Sequence, residues 1–104
     1  RLTGVEVEDL RTGARRELFC DGLFVAIGRV PDTALFAGQV ELDPSGYIVA
    51  DETTRTSVPG VFAVGDARTK AVRQIVTAVA DGAVAAHYAE EFLLEDAVKD
   101  KNLS

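Results

Sequence analysis

The chain has 104 residues, enough for one small domain. Its 47% hydrophobic and 27% charged residues describe an ordinary globular chain, and no apolar run approaches the length of a membrane span. A net charge of −6 and a pI near 4.6 argue against nucleic acid or an anionic membrane surface as a partner.

Residues 3–9 alternate, with Val5 and Val7 on one face and Glu6 and Glu8 on the other, as in a half-exposed strand. Arg11-Thr12-Gly13 makes a turn, and Ala14 to Cys20 returns as a second strand. Cys20 is the single cysteine, so the chain forms no internal disulfide and holds no Cys-x-x-Cys pair. Beside Phe19 in a strand-like run it reads as a buried, reduced thiol, and the compartment as reducing and cytoplasmic. Asp21-Gly22 signals a tight turn. The apolar run Leu23-Phe24-Val25-Ala26-Ile27 then reads as a buried third strand, completing a small meander that Gly28 closes.

Gly28 to Thr33 is a breaker, because Pro31 keeps Val30 extended and cannot continue a ladder; it is a candidate domain junction. Val40 to Leu42 reads as a short extended piece, Asp43-Pro44-Ser45-Gly46 as a type I turn, and Tyr47 to Ala50 as a short strand. Asp51 to Ser57 is polar and reads as a surface loop. Pro59-Gly60 marks another turn, and Val61 to Val64 follow as four apolar residues suited to a strand covered on both faces. Gly65 ends that run and places Asp66 at the strand's carboxyl end, the edge where open α/β sheets bind ligands. Asp66 has two readings there, a cap for a loop or helix and an acceptor for the hydroxyl of a sugar or ribitol.

One long helix is expected from Arg73 to Leu94, with Ile75, Val79, Gly82, Ala86, Ala89 and Leu93 as its packed stripe. Gly82, among alanines, suggests close approach to another backbone, and Asp81, His87, Glu90 and Glu91 are expected on the wetter side. His87 has Glu91 as its nearest candidate second ligand and no histidine or cysteine at helical spacing, so a metal is not expected. The charged tail from Glu95 to Ser104 should fray. No internal repeat, Gly-x-Gly-x-x-Gly, P-loop or hydrolase triad signature is present. Beginning in a strand without an initiator Met, the chain reads as a fragment.

Asp66 and the start of the helix near Arg73-Gln74-Ile75 form one constellation. A helix start carries unpaired N–H groups and about half a positive charge. A ligand with a polyol stretch and a group that becomes negative in use suits the pair, and a flavin has both. The other reading of Arg73-Gln74 is an exposed polar first turn.

Phe24-Val25-Ala26-Ile27-Gly28-Arg29-Val30-Pro31-Asp32-Thr33, Pro59 to Asp66, Arg73-Gln74-Ile75 and Asp81-Gly82-Ala83 together resemble the carboxyl-terminal third of bacterial-type thioredoxin reductase, from about Thr3 to Leu93. The resemblance implies an α/β fragment of a flavoprotein with two dinucleotide-binding domains, built as a β-meander, short strands and one long C-terminal helix. Residues 1–31 would end the NADPH-binding domain and 32–104 would complete the FAD-binding domain. The implied cofactor-binding residues are Gly65, Asp66, Ala67, Arg73, Gln74 and Ile75 for FAD, with Ile27 near the nicotinamide cofactor. The implied cofactors are FAD and NADPH and the implied partner is thioredoxin. No residue of the disulfide chemistry lies in this chain. Asp32 departs from the Asn common at its place in the family. The Gly-rich phosphate loops and the Cys-x-x-Cys are absent, so the chain alone should not reduce thioredoxin and should bind FAD weakly or not at all. Uncovered sheet edges and helix surface predict self-association, as a homodimer or otherwise. The alternatives are a related flavoprotein (the alkyl hydroperoxide reductase flavoprotein subunit or thioredoxin-reductase-like ferredoxin–NADP reductase) and a cofactor-free interaction module.

Overall fold

Two strands and a 28-residue helix make up the regular structure of the computed structural model, which describes residues 1–102, with side chains through Lys99. Strands β1 (Gly4–Glu8) and β2 (Arg15–Phe19) pair antiparallel, Val5 opposite Leu18 and Glu8 opposite Arg15. Asp9 sets their turn by accepting the N–H groups of Arg11 and Thr12 at 2.8 and 3.1 Å. Arg15 reaches across to Glu6 and Glu8, an exposed arrangement of small energetic value.

The expected third strand does not form. Leu23 to Ile27 run without ladder partners among the described residues, Phe24 97% and Ile27 93% exposed. An apolar run becomes a buried strand only where neighbours supply hydrogen bonds along it and cover on its faces. Cys20, at the end of the uncovered hairpin, is for the same reason half-buried rather than buried.

From Thr33 onward the chain folds on itself. Thr33 donates its hydroxyl to the Gly46 carbonyl, and Ala34–Phe36 form one 3-10 turn. The Asp43–Gly46 turn closes as expected, Gly46 N–H donating to Asp43 O at 2.9 Å. The strand expected at Tyr47–Ala50 reduces to bridges in which Ile48 pairs with Leu42 on one side and Arg68 on the other. Val61–Val64 likewise is no regular strand: Phe62 bridges Arg55 and Ala63 is buried, but Val61 and Val64 are more than 40% exposed. The segment is covered on one face, not two. Its partner is the stretch expected to be a surface loop: Ala63 N–H donates to Thr54 O, and Thr54 is fully buried with φ +64°. The core is correspondingly small, Ile48, Ala50 and Ala63 with Val40 and Leu42 against them.

Helix α1 runs Ile75–Asn102. It passes the expected end at Leu94, carried by helix formers such as Glu95, Ala97 and Lys99, with Glu95 and Lys99 spaced to pair. Leu103 and Ser104 lie outside the described residues. The expected stripe is mostly the outer face: Ile75, Val79, Gly82, Ala86 and Leu93 are exposed, and a Cβ added at Gly82 would meet nothing within 4 Å. The face turned to the body carries Ala78, Asp81, Ala85, Tyr88 and Phe92, and the residue expected on the wet side, Asp81, is its most buried member. Close backbone approach occurs instead at Gly60, the third residue of the Val58–Val61 turn. Its φ is +78°, and a Cβ there would lie 3.0 Å from the Phe92 ring. The radius of gyration, 21.5 Å, far exceeds the roughly 13 Å of a self-contained domain of about 100 residues, in keeping with so much uncovered apolar surface.

Candidate functional site

After the Val61–Val64 segment the backbone turns sharply. Gly65 takes φ +73°, a conformation that costs other residues, and opens a 3-10 turn over Gly65–Ala67. This turn is held from both sides. Ala67 O accepts the Ile48 N–H at 2.9 Å, and Gly65 N–H donates to Asp81 Oδ2 of α1 at 2.8 Å.

Asp66 is thereby presented opposite the first turn of α1. One cavity of about 300 Å³ is lined by Asp66, Arg73, Gln74, Ile75, Ala78 and Arg29. A neighbouring cavity of about 340 Å³ shares Arg29, Asp66 and Arg73 and adds Tyr47 and Ala67. The Asp66 carboxylate is half-exposed, with Arg29 3.7 Å away, beyond hydrogen-bond length and of little energetic weight. Its oxygens are free to accept hydrogen bonds from a hydroxyl entering the cavity. Opposite it, Gln74 N–H is capped by Thr77 Oγ1 at 3.0 Å, and the first intrahelical bond is Ala78 N–H to Gln74 O. The N–H groups of Ile75, Val76 and Thr77 thus precede any intrahelical acceptor and sit at the positive end of the helix dipole.

Arg73 is half-buried rather than an exposed first-turn residue. Its guanidinium lies 3.8 Å over the Tyr47 ring and donates to the carbonyls of Asp66 and Arg68 at 3.3 and 3.2 Å. It therefore braces the wall that carries Asp66. Asp66, Arg73, Gln74 and Ile75 are brought together, Gly65 and Ala67 flank Asp66, and Ile27 stands apart on the exposed 21–30 segment.

The group that sequence reasoning missed lies behind the turn. Asp81 accepts two bonds from Arg68, at Nε and Nη2, one from Lys70 Nζ and one from Gly65 N–H, each 2.8 Å. Arg68 is 2% exposed, and its Nη1 also donates to Thr69 O at 2.9 Å. The Arg68 guanidinium above all, then Lys70 and the Gly65 amide, hold the Asp81 carboxyl well below the usual carboxylate range, against the opposing effect of burial. Asp81 in turn keeps Arg68 firmly charged. The available signal was spacing: 78, 81, 85, 88 and 92 step by three and four along one helix face, and the opposite charges follow directly on the Gly65-Asp66 turn.

A donor and acceptor set of this kind suits a ligand with hydroxyls at one end and an electron-rich group at the other. Residues 2–82 match the family described as pyridine nucleotide-disulphide oxidoreductase, and the chain belongs to that family. Within it, the chain is similar to thioredoxin reductases. It is 48% identical over 93 residues to that of Treponema pallidum and 48% identical over 93 residues to that of Rickettsia conorii. Among solved structures it superposes on the thioredoxin reductase of Lactococcus lactis in its FR conformation with a TM-score of 0.70 at 40% identity, covering 89% of this chain and 31% of that one. The Streptococcus pyogenes enzyme gives 0.71 at 38% identity, with 89% and 30% covered. The chain spans about 30% of the length of the curated relatives it matches, 89% of its own length lying in the alignment with the T. pallidum protein. Among the described residues, no helix is long and apolar enough to cross a membrane.

Proposed function

We propose that this chain supplies the ribitol- and isoalloxazine-contacting part of the FAD site in an NADPH-dependent thioredoxin-disulfide oxidoreductase. The observation that carries the reading is that Asp66 and the opening turn of α1 face each other across one cavity. Residues 32–104 belong in this reading to the FAD-binding domain and 1–31 to the end of the NADPH-binding domain, with Ile27 on the nicotinamide side.

When bound, the isoalloxazine supplies the electron-transfer chemistry between NADPH and a disulfide. The chain's own residues bind and orient. Asp66 accepts hydrogen bonds from ribitol hydroxyls, charge-assisted contacts worth roughly 1.5–3 kcal/mol when desolvated. The free N–H groups at Ile75 and Val76, with the helix dipole behind them, favour negative charge placed at the other wall. Arg73 keeps the two walls in register through the Asp66 and Arg68 carbonyls. Thioredoxin is the proposed disulfide partner, by likeness to the matched enzymes.

Titration of the chain with FAD, read by flavin fluorescence, tests this. Weak, saturable quenching is expected, weakened further by Asp66→Ala by about tenfold for a lost charge-assisted bond. Equal quenching by wild type and Asp66→Ala would contradict the assignment. No NADPH-driven reduction of thioredoxin is expected from these 104 residues.

A further inference from the structure

We infer that Asp81 is a positioning residue for the Asp66–α1 cavity, fixing its two walls against each other; the inference rests on the cofactor reading above. Asp81 itself does not line the cavity. It stands six residues after Ile75 on the inward face of the helix that forms one wall. Its Oδ2 takes the N–H of Gly65, the residue immediately before Asp66 on the other wall. Both Asp81 oxygens are held by Arg68, which follows that wall's turn, and Lys70 adds a further bond to Oδ2.

One buried carboxylate therefore ties residues 65, 68 and 70 to α1. At Gly65 a Cβ would lie 3.6 Å from the Ala78 methyl, an ordinary contact distance, so packing alone leaves the turn room to shift and rotate against the helix. The four hydrogen bonds to the Asp81 side chain restrict both motions. The hydroxyl-accepting group and the free helix N–H groups must sit within the span of one ribityl-isoalloxazine to bind both its ends at once, so a loosened turn lowers affinity without altering either contact residue.

The test separates positioning from mere stability. In the variant Arg68→Met/Lys70→Met/Asp81→Leu the buried charges leave together, a change that preserves folding better than removing one partner. Thermal melting should stay cooperative while Gly65 amide exchange, followed by NMR, accelerates by about tenfold or more and FAD affinity falls by a similar factor. Unchanged Gly65 exchange and FAD affinity in a variant that melts cooperatively would overturn the inference. If the triple variant does not melt cooperatively, Asp81→Glu decides: it keeps the charge pairing, and faster Gly65 exchange supports positioning whereas unchanged exchange refutes it. A wild-type chain with no response to FAD sinks the cofactor reading, and the Gly65 exchange still decides whether Asp81 holds the walls.

Discussion

Residues 1–32 and 33–102 have similar fractions of apolar sequence, to opposite effect. The first region has a paired hairpin and a five-residue apolar run, yet Phe19, Phe24 and Ile27 stand above 80% exposed. The second has only three buried hydrophobic residues but encloses Thr54, Arg68 and Asp81. Apolarity alone does not organise a segment; partners do. Leu23–Ile27 meets no strand among the described residues, whereas Asp81 meets three donor residues at bonding distance.

The largest effect that sharpens this contrast is expected at Asp81. Asp81→Asn leaves Arg68 and Lys70 buried without a full counter-charge and should cost about 3–5 kcal/mol, measured by chemical denaturation. The wild type should show an acid limb with a definite sign. The folded-state pKa of Asp81 is lowered, so its contribution is present above an ordinary aspartate pKa of about 3.9 and is lost as pH falls below that value. Asp81→Asn should flatten that limb; an unchanged acid limb would remove Asp81 as its source.

Next comes Gly60→Ala, which forces a side chain into positive φ and against Phe92, for an expected loss of about 1–2 kcal/mol from the second region. Gly13→Ala has a similar φ with open space around it, and being in the hairpin turn should leave the cooperative transition of the second region in place. A third comparison concerns association. The uncovered run predicts concentration-dependent oligomers in light scattering, reduced by Phe24→Ser/Ile27→Ser; a monodisperse wild-type monomer would contradict it. Smallest of all, Arg15→Ala should change stability by under about 0.5 kcal/mol, since its carboxylate partners are exposed.

What the sequence made legible was local. The hairpin, the Asp43–Gly46 and Val58–Val61 turns and the long helix each follow from residues a few positions apart. The grouping of Asp66 with Gln74 and Ile75 was legible too, because eight or nine residues separate strand end and helix start. The helix's inward face was not. Reading apolar side chains as the stripe selected Ile75, Val79 and Leu93, while the buried face was decided by an ion pair between Arg68 and Asp81, thirteen residues apart. A charge is buried only where its partner is, and that pairing is tertiary information. The Leu23–Ile27 run failed for the same reason: strand formation depends on neighbours that periodicity does not display.

In the proposed function Asp66 and the opening of α1 serve one ligand. Mapping amide chemical-shift changes during an FAD titration of the chain tests it directly. Shifts should concentrate at Asp66, Gln74, Ile75 and Val76 and move together with one binding curve. Shifts confined to one wall, or scattered over the β1–β2 hairpin with Asp66 silent, would contradict it.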